Sequence, residues 1–340
     1  MSHISAPADV PPAPPVQAPA AAPPAGLAHL PVPLFAMTMG LAGLGLAWRA
    51  AAHVLAWPAA VGEGILALAA LVFLATALLY ALKALRHPGA VAAEFRHPVR
   101  VNFFPTISIS MMLLAVAAQP YAGLPAHVLG GVGAAVQFIL AVVIFRRWIV
   151  DNIEIQQSSP AWFIPIVGNI VAPLGAVPLG LVELGWFFFS VGIVLWGVLF
   201  PIMVYRIVFH HQMPAKFLPT LFVLLAPPAI GFLSVLLLNG GVLDPLARVL
   251  FHVGLFITAV LLTMAPLFAR VPFSLAWTAY TFPLAAMATA ALRYHALVPG
   301  MATQALAVAL LALASAVIVV VAARVARAVA AGAIFRPEPE

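Results

Sequence analysis

Ten apolar stretches, each about as long as the hydrocarbon core of a bilayer is thick, divide this sequence of 340 residues. A helix needs about 20 apolar residues to cross a bilayer, and the stretches lie at 31–50, 61–82, 101–119, 125–145, 161–181, 184–205, 217–238, 246–268, 273–292 and 301–323. They are apolar on every face, whereas the strands of a membrane barrel alternate in polarity. Only 7% of the residues are charged. The sequence therefore predicts an all-α polytopic membrane protein with ten transmembrane helices.

The segments outside these stretches are short. Residues 1–30 are rich in proline and alanine and contain no lysine or arginine, and we interpret them as a disordered tail. A secretory signal would need a basic start and an unbroken apolar core. We expect one transmembrane channel domain over 31–328 and a C-terminal tail at 329–340. With no cysteine in the chain, a disulfide and a thiol nucleophile are excluded.

Positive charges are distributed asymmetrically between the spans. Of the 15 lysines and arginines, only Arg49, Arg248 and Arg293 lie outside the even-numbered connections and the C-terminal tail. Positive charges favour the cytoplasmic ends of spans. The pattern predicts a multi-pass protein of a bacterial-type inner membrane with both termini in the cytoplasm. It also explains the net charge of +6 without a nucleic-acid partner.

A repeat with a period of 54 residues connects the fifth and seventh stretches. Phe163-Ile164-Pro165 is followed by Ala172-Pro173, and Phe217-Leu218-Pro219 is followed at the same distance by Ala226-Pro227. Prolines also mark the other odd-numbered stretches, while the even-numbered ones have few or none in their interiors. Broken helices are tolerated in membranes where they line a cavity or are buried in protein. We therefore expect five helical hairpins, each pairing an inner helix with a straight, lipid-facing one. The five inner helices can surround a channel, and a duplicated fold without a pore is the alternative.

An aromatic residue directly precedes a proline in the middle of the ninth stretch. Proline lacks an N–H and clashes with the carbonyl four residues back, so the helix should open near Pro283 and turn Phe282 in a new direction. Our interpretation is that Phe282 plugs a pore; packing against lipid or a neighbouring helix is the alternative. Phe104, before Pro105, is a second candidate aromatic of the conduit, or else a packing residue at the cytoplasmic end.

Small and polar residues mark candidate pore-facing positions on the odd-numbered spans. Close packing of membrane helices would use the same residue types, so that alternative stays open for each of them. The candidates are Gly40, Gly43, Ser108, Gly168, Asn169 and Thr278.

Between their flanking residues the odd-numbered spans contain no Asp, Glu, Lys, Arg or His. An ionisable residue inside the membrane would be the usual sign of proton coupling, so its absence favours a passive conduit. Backbone N–H groups at kinks and half-helix N-termini could still favour anions. No constellation of nucleophile, acid and base indicates an enzyme. His87, His97 and Glu94 share a loop, but no cysteine or carboxylate cluster completes a ligand set, and we expect no metal or cofactor.

Three separated motifs resemble one known family. They are the run from Glu94 to Phe104 at the start of the third span, Pro219-Thr220-Leu221-Phe222 with Ala226-Pro227-Pro228-Ala229 in the seventh, and Phe273-Ser274-Leu275-Ala276-Trp277 with Tyr280-Thr281-Phe282-Pro283 in the ninth. The chain resembles the TehA family of bacterial tellurite-resistance and dicarboxylate transporters, together with the plant slow-type anion channels. The resemblance covers about 31–323.

The resemblance implies a ten-helix protomer with pseudo-five-fold symmetry around a central pore, a gating phenylalanine on the ninth helix and a homotrimer. Phe282 is the best match to that gate. In the first span, Ala36 and Thr38 stand before Gly40 where the family often has glycine and proline, which puts a kink there in doubt. The expected function is a passive channel or facilitator for small anions such as chloride, nitrate, tellurite or dicarboxylates. A proton-coupled dicarboxylate or tellurite exporter is the main alternative, and an unrelated membrane enzyme is the second.

Overall fold

The computed structural model describes residues 26–151 and 153–336, and in that part of the chain all regular structure is helical. The α-helices are α1 (Phe35–Leu55), α2 (Ala59–Arg86), α3 (Pro88–Arg96), α4 (Pro105–Val150), α5 (Phe163–Val167), α6 (Ala172–Ala176), α7 (Val182–Phe209), α8 (Ala226–Leu238), α9 (Pro245–Thr263), α10 (Ala265–Phe268), α11 (Thr281–Leu297) and α12 (Met301–Ala330). Short 3₁₀ segments precede or join several of them; the longest are Ala215–Leu225 and Leu275–Tyr280.

Within the described residues, nine segments are long and apolar enough to cross a membrane. One of them, Arg100–Val150, has 51 residues, about twice what a single crossing needs. It contains α4, which reverses direction at Gly123, where φ is 34° and ψ is −113°. A positive φ of this kind is accessible mainly to glycine. Beyond the turn, Gln137 Oε1 accepts a hydrogen bond from Ser108 Oγ at 2.7 Å, so the two halves of α4 lie side by side.

Inner and outer helices alternate along the chain. Four segments are 61–89% buried, namely Val32–Leu55, Pro160–Leu179, Ala215–Leu238 and Leu275–Leu297. Four others, built on α2, α7, α9 and α12, are only 22–39% buried. The two halves of α4 follow the same rule, because most of its buried residues precede Gly123. The described residues thus alternate between buried and exposed segments, and the contact of the exposed segments with lipid stays a prediction.

Several prolines of the inner segments lie at the start of an α-helix, whereas Pro219 lies inside the 3₁₀ segment Ala215–Leu225. Pro105, Pro173 and Pro227 each lie in the first turn of an α-helix. The ninth span changes from 3₁₀ to α-helix at Thr281, so Pro283 also falls in a first turn. A missing N–H is harmless there, because the first turn has no intrahelical partner for it. The break that we predicted near Pro283 thus comes just before it.

The first helix and the two ends of the described chain complete the description of the bundle. Helix α1 runs without interruption over its 21 residues, so it has no kink. Leu30 is fully buried, although the predicted tail extended to residue 30; residues 1–25 of that tail lie outside the described residues. Gly26 N–H donates to Phe335 O at 2.8 Å, which brings the two ends together on one side of the bundle.

Candidate functional site

A small cavity lies where all five inner parts of the bundle meet. Its volume is about 50 Å³, which is enough for a few water molecules at roughly 10–15 Å³ each. Span one contributes Ala36 and Met39, and the third contributes Phe103, Thr106 and Ile109. The remaining lining residues are Phe163, Ile164, Val167, Gly168, Val171, Val223, Ala226, Ile230, Thr278, Ala279, Phe282 and Pro283. The cavity is therefore a feature of the whole inner ring and not of one helix pair.

The cavity wall has almost no free polar group. No titratable side chain is among the residues that line it. The two hydroxyls in the wall are already engaged, since Thr106 Oγ1 donates to Phe103 O at 2.6 Å and Thr278 Oγ1 donates to Leu275 O at 2.7 Å. The first bond lies where the chain changes from 3₁₀ to α-helix, and the second lies at the start of the 3₁₀ segment Leu275–Tyr280. The wall thus presents mainly hydrocarbon to whatever enters, and an ion there would lose water without gaining ligands.

Phe282 borders this cavity from the first turn of α11 and is 8% exposed. Its ring also contacts α1, where a Cβ added to Gly43 would lie 3.3 Å from Phe282 Cδ2. One turn earlier, a Cβ on Gly40 would overlap the Thr281 side chain. The two glycines therefore let α1 and α11 approach closely beside the cavity, and Gly43 leaves room for the phenyl ring.

The other predicted site residues divide into two groups. Gly168, Thr278 and Pro283 line the cavity with Phe282. Outside the cavity wall lie the two α1 glycines, the prolines that begin α4, α6 and α8, Ser108, Asn169 and Phe104. Asn169 Nδ2 donates to Ile166 O at 2.8 Å, which satisfies a carbonyl in the broken fifth span.

Phe103, and not Phe104, faces the cavity from the third span. The Phe104 ring instead packs edge-on against Phe95, at 5.0 Å between ring centroids, and against Tyr80, at 6.4 Å. Because the 3₁₀ segment Arg100–Phe103 sets the direction of these side chains, adjacent residues point to different sides. The second aromatic of the cavity wall is thus one position away from the one that we predicted, and Phe104 has the packing environment of its alternative interpretation.

Gln137 is a buried polar residue that sequence reasoning missed. It lies on the outer half of α4, yet it is fully buried. Its Nε2 donates to Pro165 O at 2.8 Å while its Oε1 accepts from Ser108, so it joins the third and fifth spans. A Cβ on Gly168 would lie 2.8 Å from Gln137 Cδ. A lone amide in an otherwise apolar stretch was the available signal, because such a group in a bilayer requires partners in neighbouring helices.

A buried ion pair lies at the end of the bundle where the third span begins. Lys83 Nζ is 2.6 Å from Glu94 Oε2, and the two side chains are 1% and 6% exposed. Glu94 also accepts from Tyr80 Oη at 2.8 Å and from Val32 N at 3.1 Å, and Lys83 donates to Leu30 O at 2.7 Å. The pair therefore ties α2 and α3 to the start of the first span. In the sequence, Lys83 is one of the basic residues that indicate the cytoplasmic ends of spans, and no local pattern shows that it is buried.

A second ion pair links three spans at the opposite ends of α1 and α2. Arg49 donates through Nε and Nη2 to the two carboxylate oxygens of Glu63, both at 2.7 Å. Its Nη1 donates to Ala117 O at 2.9 Å, which adds the first half of α4. Such a bidentate pair fixes orientation as well as distance. In the described residues no three His, Asp or Glu side chains converge as metal ligands would.

Comparison with known proteins decides the family. The sequence profile described as voltage-dependent anion channel, SLAC1, matches residues 29–326. The chain belongs to this family. The resemblance drawn from the three motifs is confirmed, since the family includes relatives named for slow-type anion channels and for tellurite resistance.

Three relatives illustrate the range of the family. S-type anion channel SLAH2 of Arabidopsis thaliana is 30% identical over 83% of this chain and 56% of its own length. Guard cell S-type anion channel SLAC1 of the same plant is 26% identical over 84% of this chain and 53% of its length. The tellurite resistance protein TehA homolog of Haemophilus influenzae is 27% identical over 78% and 81%. This chain thus spans about half the length of the plant relatives and most of the bacterial one. These relatives are named as channels or resistance proteins and not as enzymes.

Proposed function

We propose that this protein is a passive channel or facilitator for small anions, with chloride, nitrate, tellurite and dicarboxylates as the candidate classes. The observation that carries the proposal is the cavity at the meeting point of all five inner segments, with Phe282 in its wall. Its lining contains no titratable residue. Proton-coupled carriers rely on such residues within the membrane, so a lining without them supports passive movement down an electrochemical gradient.

Phe282 is the proposed gate. A pore of about 50 Å³ closed by apolar side chains cannot hold a hydrated ion. Removing the phenyl ring would enlarge the cavity toward Gly43, which the ring now contacts. Anions would then be favoured over cations by the N-termini of α8 and α11, which begin at Ala226 and Thr281 next to the cavity wall. Helix N-termini carry partial positive charge, and broken membrane helices direct it at anionic cargo.

We further propose ten crossings arranged as five hairpins with pseudo-five-fold symmetry, with both termini in the cytoplasm of a bacterial-type inner membrane. The reversal of α4 at Gly123 supports two crossings by the third segment. The hydrogen bond between Gly26 N–H and Phe335 O supports an even number of crossings, because both ends then lie on one side. A homotrimer is proposed on the family resemblance.

The second candidate function is a proton-coupled exporter of tellurite or a dicarboxylate. It is favoured by one relative, which is named as a tellurite resistance protein. A coupled carrier would respond to a pH gradient at constant anion gradient, and its rate would saturate at carrier turnover numbers. A channel would show neither property.

The test is a comparison of wild type and Phe282→Ala in liposomes and planar bilayers with anion replacement. We expect anion conductance to rise at least tenfold in the variant, because the plug is removed. Since the ring borders a cavity, the loss of stability should stay below the about 3–5 kcal/mol typical of a fully packed Phe→Ala.

The matched control is Phe256→Ala. The Phe256 side chain is 70% exposed on the outer helix α9, whereas Phe73 on the outer helix α2 packs against Phe35 with ring centroids 5.9 Å apart and would be a poorer control. We expect Phe256→Ala to conduct like wild type. A folded Phe282→Ala protein with unchanged conductance would remove the gate assignment, and a predominant cation current would remove the anion assignment. Flux that follows an imposed pH gradient would favour the exporter.

A further inference from the structure

A groove of about 340 Å³ separates two outer helices, α9 and α12. One wall includes Leu262 and the other includes Ala316 and Val320, while the floor is formed by inner segments that expose Tyr280 and Leu284. Every residue that lines the groove is apolar or aromatic. The volume is within the roughly 300–1,000 Å³ of typical ligand pockets.

The groove opens toward the hydrocarbon of the bilayer. Its two walls belong to spans of which only 39% and 33% is buried. Leu262 and Val320, at its rim, are 48% and 52% exposed. In a membrane protein such side chains face lipid tails, and no water is present at that depth to fill a gap between them.

The floor of the groove is the back of the segment that bears Phe282. Tyr280 and Leu284 are four residues apart and face the groove, while Phe282, midway between them, faces the central cavity. This is the arrangement that helical periodicity requires, since residues four apart share a face and residues two apart do not. Phe222 supports the floor, with its ring centroid 4.8 Å from that of Tyr280. The groove and the cavity therefore lie on two sides of the same helical segment.

We propose that this groove is a binding site for one hydrocarbon chain of a membrane phospholipid, seated against the back of the Phe282 segment. An unfilled groove would leave its walls without van der Waals partners. Association between apolar surfaces in a bilayer depends on such packing, because lipid tails are as apolar as the side chains. A flexible acyl chain is the membrane component that has the polarity and the flexibility to fill an apolar groove of this volume. The site lies outside the proposed anion pathway and does not depend on that function.

The experiment uses the full-length protein in phosphatidylcholine vesicles that contain a phospholipid with a photoreactive diazirine in one acyl chain. Cross-linked residues are mapped by mass spectrometry in wild type, in Ala316→Trp, which fills the groove, and in Ala75→Trp. Ala75 is exposed on the outer helix α2, remote from the groove, so it controls for a new tryptophan on the lipid-facing surface.

We expect cross-links concentrated on groove residues in wild type and Ala75→Trp, and at least a fivefold loss of these in Ala316→Trp. Native mass spectrometry should find one fewer retained phospholipid in that variant. Uniform labelling of all outer helices would mean ordinary boundary lipid and would overturn the proposal. So would a groove that stays unlabelled in the wild type while the other outer helices are labelled, since another part of the protein, such as a second copy of the chain, would then cover it. Neither readout needs anion transport, so the result is independent of the channel proposal.

Discussion

Replacing Glu94 with glutamine should destabilise the folded protein by about 3–5 kcal/mol, the usual effect of removing one partner of a buried ion pair. Lys83 Nζ, on a side chain that is 1% exposed, would lose its anion at 2.6 Å and keep only neutral partners, which are Leu30 O, the Tyr80 ring and the amide oxygen of the new side chain. The bonds from Tyr80 Oη and Val32 N to the glutamate would each have to adapt to a neutral amide. The dominant effect is the uncompensated ammonium, which has no access to water.

A double-mutant cycle isolates that electrostatic effect. Lys83→Met keeps the unbranched side chain up to the position of Cε and removes the ammonium group, and the pair Lys83→Met with Glu94→Gln removes both charges. We expect the double variant to lose less stability than the sum of the two single variants, by about 0.5–3 kcal/mol. The reason is that replacing both members of a buried pair avoids an isolated charge.

The assay is the apparent midpoint of thermal unfolding in detergent at a fixed scan rate, followed by size-exclusion chromatography. At about 2 °C per kcal/mol, the lower end of the range for large domains, Glu94→Gln should unfold about 6–10 °C below wild type. The control is Asp151→Asn, since the Asp151 side chain is 52% exposed and lies 3.6 Å from Arg147. A partly exposed pair contributes only about 0–1 kcal/mol, so this midpoint should hardly move. A shift of less than about 2 °C in Glu94→Gln, or strict additivity in the double variant, would refute the reasoning.

Two further predictions concern the packing around the cavity. Gly40→Ala should destabilise the protein by about 1–3 kcal/mol through overpacking against Thr281. The control Gly64→Ala, which has open space around its Cβ, should stabilise the protein by about 0.5–1 kcal/mol. Equal midpoints of thermal unfolding for the two variants would contradict the close approach of α1 and α11. Gln137→Leu should lower the free energy of unfolding by about 1 kcal/mol, because it removes two interhelical hydrogen bonds. Gln137→Glu should lower it further, because a carboxylate would face the Pro165 carbonyl that now accepts from the amide. A Gln137→Glu protein more stable than Gln137→Leu would show that the amide donor is not required.

The class of protein and the alternation of its spans could be predicted from the sequence because both depend on local properties. A run of about 20 apolar residues is sufficient to specify a membrane helix, and prolines on alternate spans indicate which helices are buried in protein. Of the candidate site residues, Phe282, Gly168, Thr278 and Pro283 lie at the cavity, and the role of Phe282 as a gate stays a prediction. Each of these predictions uses residues that are close together in the chain.

The tertiary structure alone decided which partners meet. Glu94 reaches Lys83 across a short helix and Val32 across 62 positions of sequence, and no local pattern indicates that these groups are buried together. Phe103 faces the cavity and Phe104 does not, because the 3₁₀ turn before α4 sets their directions. The sequence by itself therefore determined the membrane class, the spans and the position of Phe282. Packing between distant segments determined the cavity, the buried ion pair and the groove, because contacts of that kind depend on the relative placement of whole helices.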